Sequence, residues 1–296
     1  MTVPAPAVTL TSGDYTATIV PVGAGLAGLQ HRGRQVVVGH DPAELPLGYP
    51  GATLVPWPNR ITDGTYEYDG ETHRVPVNEH ETNAALHGLA CWSVWDVVAQ
   101  SDAHVVLELE IAPRYGYPFH LHSRVTYRLD ADDGLGVEIT TTNIGARTAP
   151  YGSSTHPYLT CDLQPVDECV LRAPARSVLT VDDRLRPVST VPAADAGLAL
   201  PGDAPLGDTR IDHAYTDLPT GGWTVTLTSA ERALQVRLHA DAPWLQIYSG
   251  ELVGRRGVAV EPMTCPPDAF NSGTDLVELA TGDSHTLRLR IDAVDV

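Results

Sequence analysis

Leu287-Arg288-Leu289-Arg290-Ile291-Asp292 alternates apolar and polar side chains with a period of two. An extended chain sends successive side chains to opposite faces, so this stretch reads as a strand with one dry and one wet side. The pattern recurs in Val105–Ile111, where Leu107, Leu109 and Ile111 alternate with Glu108 and Glu110, and in Leu135–Thr140 and Leu234–His239. Strands dry on one side only belong to antiparallel sheets. No long segment carries an apolar stripe at helical period. Asp69-Gly70, between Tyr66-Glu67-Tyr68 and Thr72-His73-Arg74-Val75, reads as a hairpin turn, as does Asp133-Gly134. Residues 193–209, rich in Ala, Pro, Gly and Asp, read as a long surface loop. No charge block, repeat or low-complexity linker divides the chain. The expectation is a single all-β domain over residues 1–296, a large antiparallel β-sandwich.

Charge excludes several function classes. Nineteen basic residues against 37 acidic ones give a formal net charge of −18. A chain this acidic is a poor partner for nucleic acid or an anionic membrane. Every basic residue is Arg, and there is no Lys. Schiff-base chemistry, pyridoxal phosphate anchored by Lys, a P-loop and a kinase lysine are thereby excluded. The N-terminal Met1-Thr2-Val3-Pro4 shows no basic region followed by an apolar run, and no stretch has the length and apolarity of a membrane span. A cytoplasmic protein is expected. Cys91, Cys161, Cys169 and Cys265 are too few and scattered for a disulfide framework or zinc ribbon. Reduced structural thiols are expected, although Cys161 and Cys169 could pair across a folded-back loop.

Five segments look unlike strand filler. They are Pro56-Trp57-Pro58-Asn59-Arg60-Ile61, Asn83-Ala84-Ala85-Leu86-His87-Gly88, Tyr151-Gly152-Ser153-Ser154-Thr155-His156-Pro157-Tyr158, Ile211-Asp212-His213-Ala214-Tyr215 and Val258-Ala259-Val260-Glu261-Pro262-Met263-Thr264. Each sets an ionisable group beside Gly, Pro or aromatic residues at the end of an apolar run, where a rigid sheet often holds functional loops. Singly, each has a plain structural explanation. His87 suits a hydrogen-bonded turn, His156 a buried imidazole, Arg60 a surface ion pair and Asp212 a cap. Glu261 is harder to explain away, because its strand is apolar on both sides and a carboxylate there must be paired, hydrogen-bonded or functional.

Together, and in this order, the segments resemble the aldose 1-epimerases, or galactose mutarotases, over nearly the whole chain, from about Tyr15 to Ile291. Pro56–Ile61 and Glu261-Pro262-Met263-Thr264-Cys265-Pro266-Pro267-Asp268-Ala269-Phe270-Asn271 look like the bacterial branch that includes sulfoquinovose mutarotases. The resemblance implies a β-supersandwich that interconverts the α and β anomers of a free sugar with no cofactor or metal. It implies Glu261 as general base, His156 as general acid toward the ring oxygen and His87 as its assistant. Arg60, Asp212 and Asn83 would bind substrate, and the only partner implied is the small-molecule sugar. Imidazole titrates near neutrality and suits proton donation and recovery. Desolvation on an apolar strand would raise the pKa of Glu261. Two departures stand out. Ser153-Ser154-Thr155 is more polar than the branch, and Met263 stands where better-known galactose mutarotases carry a polar Gln, which bears on galactose as the preferred substrate.

Other features carry competing readings. Arg255-Arg256 reads as a turn with two solvated charges or as an anion site for a C6 sulfonate or phosphate. His120 and His122 have metal-ligand spacing on one strand face but no third ligand in step. Most of Trp57, Trp92, Trp95, Trp223 and Trp244 are expected in the core, and Cys265 lacks a His partner in its own segment. The function alternatives are a mutarotase for an anionic sugar, a glycosidase using Asp212 and Glu261, and a mutarotase fold recruited to another carbohydrate reaction or to sugar binding.

Overall fold

The four alternating stretches fall in one sheet. The computed structural model describes residues 6–44 and 46–296, so the N-terminal Met1–Pro4 lies outside the described residues. Eight antiparallel strands run in the order Asp96–Ser101, His104–Ile111, Leu121–Asp130, Gly134–Asn143, Ser284–Asp295, Leu234–Ala240, Trp223–Ser229, Val170–Arg172. Leu287, Leu289 and Ile291 are buried, as are Leu135, Val137 and Ile139 beside them in register. Arg288 is exposed and Arg290 half-buried, as the alternation requires. Asp292 departs from its expected solvated place and is only 1% exposed. Arg237 Nε, His239 Nε2 and Arg290 Nη1 cover its carboxylate at 2.5, 2.7 and 2.9 Å. Burial would raise its carboxyl, but the hydrogen bonds from His239 and Arg237 hold it below the usual carboxylate range.

A six-stranded antiparallel sheet forms the second large layer: Tyr158–Leu159, Val258–Met263, Trp244–Tyr248, Asp212–Thr216, Ser177–Val181, Pro187–Pro192. Buried residues of both sheets, and of an N-terminal four-stranded sheet spanning Val8–Gln35, belong to one continuous apolar core. The fold is thus the expected all-β antiparallel sandwich. Among the described residues the helices are single turns, Ala269–Ser272, Val166–Glu168 and Glu251–Val253. None is long and apolar enough to cross a membrane.

The turns follow their glycines. Asp69 and Gly70 both have positive φ, 53° and 75°, the primed geometry that closes a two-residue hairpin between Thr65–Tyr68 and Glu71–Arg74. The Asp133-Gly134 turn is longer. Residues 131–133 form the loop, and Gly134 at φ 76° begins the next strand opposite Asp130. Residues 193–209 form a loop, touched by one isolated bridge between Arg172 and Pro201. All four cysteines are buried and free. Cys161 Sγ donates to the Leu227 carbonyl, and Cys169 Sγ to that of Pro165. Four tryptophans are core, and Trp92 is 41% exposed.

Candidate active site

The six-stranded sheet supplies one wall of a cleft of about 380 Å³. Glu261 sits in Val258–Met263, all six residues of which are buried. Its cross-strand partner is Gln246, and Asp212 enters from the next strand, opposite Tyr248. The facing wall is a short ladder of Arg60–Thr62 with Ala84–Leu86, which sets Arg60 opposite Leu86 and delivers His87 at its end. His156 is pinned from both sides: its carbonyl accepts Gly51 N–H at 2.8 Å, and its N–H donates to Ala52 at 3.1 Å. Gly51 is obligatory there. It has φ 69°, and a Cβ would lie 2.1 Å from the Leu26 carbonyl oxygen.

The fold therefore brings Glu261, His156, His87, Arg60 and Asp212 into one cleft. His156 Nε2 lies 3.3 Å from Glu261 Oε1. The rings of His87 and His156 meet edge to face, 5.3 Å between centroids. Both imidazoles and the carboxylate are buried. Burial pushes Glu261 well above the ordinary carboxyl value, with nearby Asp212 adding to it. It pushes His156 down to about 4. It also holds His87 well below the ordinary imidazole value, with His156 and Arg60 pressing the same way. The two shifts on the Glu261–His156 pair favour its uncharged form, with the pair's one proton on Glu261.

His87 and Asn59 both occupy left-handed backbone, φ 65° and 53°, strain of the kind that clusters at functional sites. His87 N–H donates to the Asn59 carbonyl at 2.9 Å, and Asn59 N–H donates to His87 Nδ1 at 3.3 Å. That second bond assigns the imidazole proton to Nε2. Donor atoms of His87, His156 and Glu261 lie within 4.8 Å of one another, a metal-like cluster. A ligating histidine, however, donates from its other nitrogen. His87 Nδ1 accepts instead, so the arrangement suits proton transfer better than metal ligation.

Arg60 is clamped. Its Nε and Nη2 donate to both oxygens of Glu79 at 2.6 and 2.8 Å, and Nη2 lies 3.6 Å from Asp212 Oδ2. Gln246 Nε2 donates to Asp212 Oδ1 at 2.6 Å, and Gln246 Oε1 is buried with no protein partner. Glu261 Oε2 is likewise unpartnered. Both are acceptors left for a hydroxylated ligand. Tyr49, Tyr158 and Tyr248 complete the aromatic wall, and none of the five tryptophans lines it.

Asn83 is not brought in. It sits exposed in a turn at φ 56°, with its amide donating to Asp63 at 2.7 Å, outside the cleft wall. The turn points the side chain away from the strand that follows it. Arg255 is committed elsewhere, to Asp167, Glu251 and the carbonyls of Gly207 and Thr209. Arg256 is exposed, and neither arginine lines the cleft. His120 and His122 face Glu110 and Glu108 on the sheet surface. Cys265 is buried with its thiol pushed up to about 12, which keeps it protonated. His213 Nδ1 accepts the Asp212 N–H and lies outside the cleft wall. The sequence reasoning missed Glu79 and Gln246. Gln246 carried a signal, a lone amide in the apolar run Trp244-Leu245-Gln246-Ile247-Tyr248; Glu79 carried none in its polar segment.

Comparison with known proteins gives the family and the fold. The aldose 1-epimerase family model matches residues 6–292. The chain is 46% identical over 287 residues to YihR, an uncharacterized protein of Escherichia coli K12, covering 96% of this chain and 92% of that one. It is 28% identical over 225 residues to the aldose 1-epimerase of the same organism, covering 69% and 64% of the two chains. In fold it is similar to the GalM/aldose epimerase homologue of C. elegans, with a TM-score of 0.88, 20% identity and coverage of 98% and 99%. The galactose 1-epimerase of Lactobacillus acidophilus NCFM gives a TM-score of 0.83 at 18% identity, covering 98% and 94%. The chain belongs to the aldose 1-epimerase family, whose members are isomerases.

Proposed function

We propose that the protein interconverts the α and β anomers of a free hexose, acting as one domain over residues 1–296 and without a cofactor. The observation that carries this is the 3.3 Å approach of His156 Nε2 to Glu261 Oε1 in a buried cleft. A base and an acid stand there side by side. In the reactive tautomer the pair's one proton has moved to His156, so that Glu261 takes the proton of the C1 hydroxyl while His156 gives one to the ring oxygen. The C1–O5 bond breaks and O1 becomes the aldehyde oxygen. Rotation about C1–C2 turns the other face to the ring oxygen, and closure returns both protons. His87, with its proton on Nε2, donates a hydrogen bond to the same ring oxygen. Arg60, Asp212 and Gln246 hold hydroxyls and orient the ring. A positioned acid or base supplies roughly 10²–10⁴-fold each, enough for a reaction already feasible in water.

The charge of the cleft favours a neutral ring. Glu79, Glu81 and Asp212 line it against Arg60, whose guanidinium is already bound by Glu79. Arg255, the anchor imagined for a C6 sulfonate, is engaged elsewhere. The test is anomer exchange by NMR on equilibrated glucose, galactose, glucose 6-phosphate and sulfoquinovose, with and without enzyme. Enzyme-dependent exchange in a neutral hexose is expected. Exchange confined to the anionic sugars would overturn the charge argument, and no exchange in any sugar would overturn the mutarotase assignment.

A further inference from the structure

Three leucines, Leu86, Leu185 and Leu252, line the cleft beside its ionisable groups, and Leu185 is the one with left-handed backbone. It sits at the tip of the hairpin joining Ser177–Val181 to Pro187–Pro192, at the edge of the six-stranded sheet, and it lines the cleft. Its φ is 57°, left-handed backbone that Gly or Asn adopts easily and a leucine does not. A network of bonds imposes it. Asp182 Oδ1 accepts the N–H groups of Arg184 and Arg186 at 2.9 and 3.0 Å, and Asp182 Oδ2 accepts Arg186 Nε at 2.7 Å. Leu185 N–H donates to the Asp182 carbonyl at 2.9 Å.

The tip is also tied to the facing wall. Arg184 Nε and Nη2 donate to the Thr82 carbonyl at 3.1 and 2.9 Å, and Nη2 pairs with Asp63. Asp63 is in turn held by Asn83. Thr82 lines the cleft and its hydroxyl donates to Glu79, the partner of Arg60. The turn is closed by Asp182 and tied through Arg184 to Thr82 and Asp63, and glycine or asparagine would relieve the strain at Leu185. From Glu251–Val253, Leu252 adds another apolar side chain to the same cleft.

We infer that Leu185 is a specificity-determining residue: its side chain packs on the C–H face of a neutral pyranose held over Glu261 and disfavours a charged substituent at that place. The inference rests on the mutarotase reading and adds what the sugar must offer, an apolar face toward the hairpin tip. A buried apolar contact of this kind separates substrates by about tenfold or more.

Leu185→Asn tests it, because asparagine keeps the left-handed turn while removing the apolar contact. Leu185→Gly is the second variant, with no side chain at all. The measurements are Tm, and kcat and KM for the neutral hexose with the highest wild-type exchange rate. Expected is a Tm equal to or above wild type in Leu185→Asn, KM raised about tenfold in both variants, and little change in kcat. Unchanged KM in both variants, with active wild type, overturns this inference and leaves the mutarotase reading standing. No exchange by wild type on any sugar overturns the reading and this inference with it.

Discussion

Replacing Glu261 by Gln separates what the carboxyl does for the reaction from what it costs the fold. The side chain is 1% exposed, in a strand buried along its whole length. Its carboxyl is raised well above 4.5 by desolvation and by Asp212. The folded protein therefore binds that proton more tightly than the unfolded chain. The stabilisation is fully present below about 4.5 and is lost as pH rises through the raised folded value. Each unit of raising corresponds to about 1.4 kcal/mol. At roughly 2.1 cal/mol/K per residue, 296 residues convert this to about 2 °C of Tm per unit. The amide cannot ionise and matches the neutral carboxyl in shape. Thermal scans of both proteins at pH 4 to 9 should nearly coincide at the acid end. The variant should gain on wild type as pH rises. Its anomer exchange should fall by about 10²–10⁴-fold. A Tm difference that stays constant with pH, or a wild-type protein more stable than the variant at pH 8, would refute the buried-carboxyl argument. Wild-type turnover in the variant would refute the assigned base.

The Glu261–His156 pair works with one proton, so the rate should be bell-shaped in pH. With His156 pushed down to about 4, the acid limb, where a second proton removes the base, should fall near pH 4; an acid limb centred near 6.5 would refute the burial argument. The alkaline limb belongs to loss of the last proton. Glu79→Gln should loosen Arg60, leaving it Asp212 at 3.6 Å. Because both side chains keep some solvent contact, the loss should be about 2–3 kcal/mol, below the ~3–5 kcal/mol of a fully buried pair. Chemical denaturation should show that loss and kinetics a raised KM; unchanged values in both would mean the clamp is ornamental.

What the sequence made legible was whatever violates or obeys a local pattern. Leu287–Asp292 obeys period two, and its strand and its dry face follow directly. Glu261 violates an apolar run, and a carboxylate there must be paired, hydrogen-bonded or functional. What stayed hidden depends on register. Arg60–Thr62 and Ala84–Leu86 are too short for any periodicity to show, yet their pairing sets Arg60 and His87 on one wall. Glu79 lies among polar residues and looks solvated until the fold carries it onto Arg60. Asn83 erred the other way. The resemblance set it among the substrate-binding residues with Arg60 and Asp212, but a left-handed turn sends its side chain to Asp63.

Gln246 shows why the boundary falls there. Its signal was of the same kind as that of Glu261, one polar side chain in an apolar strand. It went unread because a buried amide has many ordinary uses, whereas a buried carboxylate has few. The fold removes that ambiguity by pairing the two residues directly across strands. A polar atom of each is left without a protein partner: Gln246 Oε1 and Glu261 Oε2. Two adjacent buried acceptors, both unsatisfied, are expensive for a fold that gains nothing from them. A hydroxyl-rich ligand satisfies both, one hydroxyl donating to the amide oxygen and another to the carboxylate that will take its proton. The cost to stability and the affinity for sugar thus arise from the same pair of atoms.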